Sequence, residues 1–144
     1  MAKILIIDDE RGIRNTLREI LADEGHNVDV AENGKQGLQM ASQLAYDLIY
    51  SDIKMPEMDG IEVLSAIKNT GEYANQNTPI ASAETPIVMI TGHGDVETAV
   101  QALKLGAYDF LLKPLDLNRI LITTKNALES KQLRQETKQP RKKV

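Results

Sequence analysis

Residues 3–10 read Lys-Ile-Leu-Ile-Ile-Asp-Asp-Glu: four consecutive large apolar side chains that end on three acids. A short apolar run without polar alternation, here Lys3–Asp8, suits a strand buried on both faces, as in a parallel sheet. Similar runs lie at Asn27–Ala31, Asp47–Asp52, Pro86–Thr91 and Tyr108–Lys113, with Ile87-Val88-Met89-Ile90 as a second uninterrupted stretch. Between them the apolar residues recur at helical spacing. Ile13, Leu17, Ile20 and Leu21 share a face and are followed by Gly25. Leu38, Ala41 and Leu44 follow a start signal at Asn33, and Leu64 and Ile67 follow Asp59-Gly60. Val96, Val100 and Leu103 follow Asp95 and stop at Gly106; Leu117, Leu121, Thr124 and Leu128 follow Asp116. Asn or Asp before a periodic segment and Gly after it are helix caps. Five strand–helix pairs in strict alternation predict a doubly wound α/β fold, with right-handed crossovers and helices on both faces of a parallel sheet.

The 144 residues fit one domain. Cysteine is absent and only His26 and His93 are histidines. Disulfides, thiolate zinc sites, iron–sulfur clusters, a Cys nucleophile and a His-rich metal centre are therefore excluded. Aromatic residues are 3% of the chain, with no Trp, too few for a platform on which bases stack. The net charge of −4 argues against direct nucleic-acid binding by this domain. No apolar run reaches the ~18 residues that span a bilayer. Met1-Ala2-Lys3 leads straight into the first apolar run without a leader pattern, which gives a cytoplasmic expectation. His26 is read as a surface residue only.

Two segments stand apart. Residues 129–144 carry six basic and two acidic side chains, so the first 128 residues hold a net charge of −8. The globular part is placed at 1–130, and 131–144 is read as a fraying helix end and polar basic tail or linker start. Thr70–Thr85 is polar, has neither period, and exceeds the usual ~2–6-residue helix-to-strand connection. It is expected to be an extended surface loop, with or without a short turn of helix.

The polar residues of note close strands. Asp8 and Asp9, then Glu10, end the first; Asp52 ends the third, Thr91 the fourth, and Lys113, before Pro114, the fifth. In an open parallel sheet the carboxyl ends of the strands form the ligand-binding edge. Two unit charges ~5 Å apart repel by about 3 kcal/mol at an effective dielectric of ~20, so Asp8, Asp9 and Asp52 together call for cations. Lys113 offsets one charge. A divalent ion held by oxygen alone, Mg²⁺, offsets the rest and suits phosphoryl chemistry. A carboxylate can then serve as nucleophile and form an acyl phosphate, with Lys113 and Thr91 as the ammonium and hydroxyl that meet the phosphoryl oxygens.

These residues carry a resemblance. With ILIIDDE at 4–10, SDIKMPEMDG at 51–60, MITGHG at 89–94 and GAYDFLLKP at 106–114, the sequence resembles receiver domains of two-component response regulators. It looks most like those of the nitrogen-regulation type, which precede an AAA+ ATPase and a DNA-binding domain. The resemblance spans about residues 2–130 and implies a flavodoxin-like single domain with strand order 2-1-3-4-5. It implies Asp52 as phosphoacceptor, and Asp8, Asp9, Asp52 and the backbone carbonyl of Lys54 around Mg²⁺. It implies Lys113 on the phosphoryl group, Thr91 and Phe110 as the switch pair, and a cis Lys113–Pro114 bond. Tyr108 fits the aromatic switch position less well. Gly92 would leave room beside Thr91 for a phosphodonor or water, and Lys54 and His93 occupy positions where the family varies the phosphoryl lifetime.

The implied function is a switch charged by a histidine kinase. Its fourth helix, fifth strand and fifth helix would change their exposed face, pair as a homodimer or contact an output, and so control transcription. It would be no enzyme beyond its own phosphorylation and dephosphorylation. A haloacid-dehalogenase-like phosphatase is the enzymatic alternative, but its Asp-x-Asp after the first strand is absent from Asp8-Asp9-Glu10. A degenerate receiver that only binds partners is disfavoured because every phosphoryl-site position is intact.

Overall fold

The opening apolar run becomes β1 (Lys3–Ile7), a strand with neighbours on both sides. Its residues Ile4 to Ile7 are fully buried. The computed structural model describes residues 1–70, 80–92 and 95–138, with side chains as far as Ser130. After β1 come α1 (Arg11–Asp23), β2 (Asn27–Ala31), α2 (Gly34–Gln43), β3 (Leu48–Asp52) and α3 (Gly60–Lys68). Then follow β4 (Ile87–Thr91), α4 (Val96–Lys104), β5 (Asp109–Leu112) and α5 (Leu117–Lys138). The strands form one parallel sheet in the order β2-β1-β3-β4-β5, as expected.

Alternation along each strand divides the core into two layers. Leu5, Ile7, Ile49 and Met89 face α2 and α3, where Ala41, Val63, Leu64 and Ile67 cover them. Ile4, Ile6, Leu48, Tyr50, Val88 and Ile90 face α1 and α5, against Leu17, Leu21, Ile120 and Ala127. Each large aliphatic side chain so buried contributes roughly 1.5–3 kcal/mol relative to exposure, which is why the uninterrupted apolar runs decide the fold.

The caps at Asn33, Asp59 and Asp116 work as their sequence suggests. Asn33 accepts from the Gln36 N–H at 2.8 Å, and Asp116 from the Arg119 N–H at 2.9 Å. Asp59 and Glu62 form a reciprocal capping box. Asp95 also occupies an N-cap position, but its side chain makes no cap hydrogen bond. Gly25 and Gly106 take positive φ values of 91° and 117° just past α1 and α4, the left-handed stop that glycine adopts without a Cβ clash.

Two expectations are corrected. The end of the Thr70–Thr85 stretch is not extended: it turns at the surface, with Ala81 and Glu84 exposed, and is anchored to the neighbouring connection. The Ala81 and Ser82 N–H groups donate to the carbonyls of Ser42 and Ala41. Fully buried Ser82 accepts from the Tyr46 N–H at 3.0 Å and donates to the Leu44 carbonyl at 2.6 Å. Thr85 donates to the Tyr46 carbonyl, and the Lys68 ammonium donates to the Ala83 and Thr85 carbonyls. Polar side chains here satisfy the backbone of the α2–β3 connection, a role that composition does not reveal. Residues 71–79 of the stretch lie outside the described residues. His26 is half-buried, and its Nδ1 accepts from the Ala2 N–H at 3.1 Å, tying the start of β2 to the N-terminal segment. Burial, with the N-terminal ammonium, holds its pKa below the ordinary value. The helical part of the expected tail continues α5 to Lys138; residues 139–144 lie outside the described residues.

Candidate functional site

The parallel register fixes which residues meet. Asp52 pairs with Ile90 and Thr91 with Leu112, so the ends of β3, β4 and β5 lie level, and Lys113 follows one residue beyond. The Lys113 N–H donates to the Thr91 carbonyl at 2.8 Å, and the Asp8 N–H to the Ala31 carbonyl at 3.2 Å. A cis Lys113–Pro114 bond follows. Gly60, at the start of α3, donates its N–H to the Ile53 carbonyl at 2.8 Å; a Cβ there would collide with the carbonyl oxygen of Asp52. The α3 N-terminus can approach the end of β3 so closely only with glycine at this position.

Asp8 and Asp52 are both buried, while Asp9 is exposed beside them. Asp8 Oδ1 accepts from the Glu10 N–H at 2.8 Å, whereas Asp8 Oδ2 has no hydrogen-bond partner. Lys113 Nζ lies 2.6 Å from Glu10 Oε1, 3.6 Å from Asp52 Oδ1 and 4.0 Å from Asp8 Oδ2. Carboxylate oxygens of Asp8, Glu10 and Asp52 all fall within 4.8 Å of one another. Thr91 is buried at the end of β4, and among the described residues its hydroxyl has no hydrogen-bond partner.

The electrostatics follow from this crowding. Burial first, then the neighbouring Asp8 charge, pushes the Asp52 carboxyl up to about 7 against the opposing pull of Lys113. Burial raises Asp8 as well, moderated by its bond from the Glu10 backbone and by Lys113. Burial works against the Lys113 charge, but the Glu10 hydrogen bond and the charges of Asp52, Asp8 and Glu10 outweigh it and raise its pKa. The site is thus short of positive charge, with one ammonium against several carboxylates.

The expected residues divide as follows. Asp8, Asp52 and Lys113 come together, and Thr91 stands level with them on β4 between the strands of Asp52 and Lys113. Glu10 joins Asp8 and Asp52 in the acidic cluster, and exposed Asp9 lies against Asp52, where its carboxylate helps to raise the Asp52 pKa. The signal was the unbroken acidic triplet 8–10, in which Glu10 also sits at the N-cap position of α1. Phe110 is half-buried on β5 against the α2/α3-side core, and Tyr108 packs on the opposite layer. At Gly92 a Cβ would meet nothing within 4 Å among the described residues beyond its chain neighbours. The Lys54 ammonium lies 3.1 Å from Asp95 Oδ2, which accounts for the missing side-chain cap on α4. His93 lies outside the described residues.

A 2-1-3-4-5 parallel sheet carrying an acidic pocket and a lysine at its carboxyl edge defines the class. The chain belongs to the response regulator receiver domain family, which matches residues 4–125, and is a receiver domain of a two-component response regulator. It is 38% identical over 138 residues to the nitrogen assimilation regulatory protein NtrX of Azorhizobium caulinodans, covering 94% of this chain and 28% of that protein. It is 34% identical over 134 residues to the regulatory protein AtoC of Escherichia coli, covering 93% and 27%. The crystal structure of the NtrX receiver domain from Brucella abortus superimposes with a TM-score of 0.76 at 38% identity, covering 88% of this chain and 98% of that one. A longer NtrX structure from the same organism gives 0.82 at 37% identity, covering 94% and 28%. The chain thus spans about a quarter of the length of the curated relatives it matches. Among the described residues no helix is long and apolar enough to cross a membrane.

Proposed function

We propose that this domain is a phosphoacceptor switch in which Asp52 takes a phosphoryl group from a histidine kinase, with Mg²⁺ as cofactor. The observation that carries the reading is the set of groups converging on Asp52: the Lys113 ammonium at 3.6 Å, and the buried, unpartnered Asp8 Oδ2 and Thr91 hydroxyl near the same edge. Buried polar atoms are normally paired, so two orphans at one strand edge favour a site completed by a ligand. In the transfer, an Asp52 carboxylate oxygen bonds to phosphorus as the phosphorus–nitrogen bond of the kinase phosphohistidine breaks. The imidazole nitrogen keeps the electron pair, and Asp52 becomes an acyl phosphate. Lys113 neutralises charge on the phosphoryl oxygens, and the Thr91 hydroxyl donates to one of them.

The donor set fits Mg²⁺. Its candidates, Asp8, Asp9, Asp52 and the Lys54 carbonyl, are hard oxygens, and among the described residues one buried Asp8 oxygen accepts no hydrogen bond. When bound, the ion supplies neutralisation of the acidic pocket and of the transferred group. Glu10 shares the cluster with Asp8 and Asp52, but its carboxylate is taken up by the Lys113 ammonium.

Phosphorylation would bias an equilibrium between two arrangements in which Thr91 and Phe110 move together. The face that responds joins α4, β5 and α5. Val96, Val100 and Leu103 of α4 and Leu112 of β5 are exposed there, an apolar surface suited to a homodimer or an output contact. Brucella abortus NtrX has been crystallised with ATP, and this chain covers 30% of that protein. By that likeness we assign the output to an AAA+ ATPase with a DNA-binding domain, controlling transcription in the cytoplasm. The domain's own chemistry is limited to gaining and losing its phosphoryl group. The test is incubation with a small phosphodonor and Mg²⁺: one acid-labile phosphoryl group per chain is expected, lost in Asp52→Asn. Undiminished labelling of Asp52→Asn overturns the assignment.

A further inference from the structure

The only hydrogen bond from the Lys113 ammonium among the described residues runs to Glu10, at 2.6 Å, and not to Asp52 or Asp8. Glu10 is also unlike the other two acids of the cluster. Its side chain is 58% exposed, while those of Asp8 and Asp52 are buried. It is therefore the solvent-facing acid of the cluster. Its backbone is fixed: the N–H donates to Asp8 Oδ1, and the carbonyl accepts from the Arg14 N–H at 3.1 Å. Its carboxylate makes no cap bond to α1, so among the described residues the bond from Lys113 is the one hydrogen bond shown holding it.

We infer that Glu10 holds Lys113 in place of the phosphoryl group, as a positioning residue that must release the ammonium before a phosphoryl oxygen can take it. The inference rests on the reading of Asp52 as phosphoacceptor. The substitution is chemically like for like, since a carboxylate and a phosphoryl group both offer anionic oxygens to the same N–H donors. Charge reinforces it. Adding a phosphoryl group to a pocket already rich in carboxylates is eased when one carboxylate swings out to water. While Glu10 stays, Lys113 is kept from tightening onto Asp52; once displaced, Glu10 returns only when the phosphoryl group leaves. It thus opposes phosphorylation and favours return to the resting arrangement.

The test compares the intact chain with Glu10→Gln by NMR, titrating first Mg²⁺ and then beryllofluoride, a phosphoryl mimic, with the Lys113 ammonium ¹⁵N-labelled. The amide spectrum confirms that the variant is folded. Glu10→Gln is expected to bind beryllofluoride roughly three- to fivefold more tightly, the scale of one exposed ion pair removed. Affinity for Mg²⁺ alone should change by no more than about twofold. The Lys113 ammonium resonance of the free protein should move, and the gain should vanish in a Lys113→Met background. If Glu10→Gln instead weakens Mg²⁺ about tenfold or more, Glu10 is a metal ligand and the inference is overturned. Wild-type binding of beryllofluoride with no gain in Glu10→Gln overturns this inference alone. Failure of the wild type to bind it at all overturns the phosphoacceptor reading as well.

Discussion

Lys113 Nζ reaches to 3.6 Å from Asp52 Oδ1 although β4 lies between their strands. Strands two places apart are separated by roughly 9.5 Å, which a lysine side chain bridges only when it lies across the end of the intervening strand. Thr91 closes that strand. Ammonium, hydroxyl and carboxylate are therefore neighbours through sheet order alone, contributed by three separate strand ends.

The raised Asp52 pKa makes stability depend on pH. A carboxyl whose folded pKa lies above its unfolded value binds protons more tightly when folded. Its contribution is fully present below about pH 4 and is lost as pH rises through about 7. The metal-free protein should lose stability across that window, with Asp8 adding in the same direction. Asp52→Asn should remove most of the slope and stabilise the metal-free domain at pH 8 by on the order of 2 kcal/mol, with no gain at pH 4. Urea unfolding in EDTA at a series of pH values reads both.

Mg²⁺ should reverse that loss. Its stabilisation requires ionised carboxylates, so it should be large at pH 8 and vanish near pH 4, where protons occupy the site. Thermal unfolding with and without Mg²⁺ at the two pH values measures the difference. Equal stabilisation at both would contradict the site.

Gly60→Ala should destabilise the protein by about 2 kcal/mol, the scale of overpacking against backbone that cannot move aside. Because the collision is with the Asp52 carbonyl, phosphodonor labelling should fall as well. Urea unfolding and labelling on the same preparation check the two effects.

Ser82→Ala separates stability from the site. It removes a hydroxyl that bridges the Tyr46 N–H and the Leu44 carbonyl and leaves buried groups unpaired, a loss of about 2 kcal/mol. Ser82 precedes β4, at the edge of the sheet opposite Asp52, so labelling of the folded variant should remain at the wild-type level.

Lys54→Ala should change stability by less than about 0.5 kcal/mol, because the ammonium it removes is exposed. The freed Asp95 carboxylate can then cap α4, which hydrogen exchange of the α4 N-terminal amides would register as slower exchange.

The architecture was legible because buried parallel strands demand uninterrupted apolar runs. The five runs match the five strands to within a residue at each end, and Asn33, Asp59 and Asp116 mark helix starts by side-chain bonds to nearby amides. Asp8, Asp52, Thr91 and Lys113 were legible for a related reason: strand ends are fixed once the runs are. Less was readable where a residue's partner is distant in sequence. Glu10 meets Lys113 across 103 residues, and Asp95 gives its carboxylate to Lys54 instead of its own helix. Ser82 and Thr85 look like loop residues, yet they are buried because they complete the backbone of Leu44 and Tyr46. His26 follows the same logic through the Ala2 amide. Local patterns encode secondary structure, whereas these pairings exist only after the chain has closed.

The central claim is that Asp52, and no neighbouring acid, forms the acyl phosphate. Borohydride reduction converts an aspartyl phosphate to homoserine, which peptide mass spectrometry can place. After treatment with a small phosphodonor and Mg²⁺, homoserine is expected at position 52 alone. Homoserine at position 8 or 9 with an intact Asp52 would contradict the account.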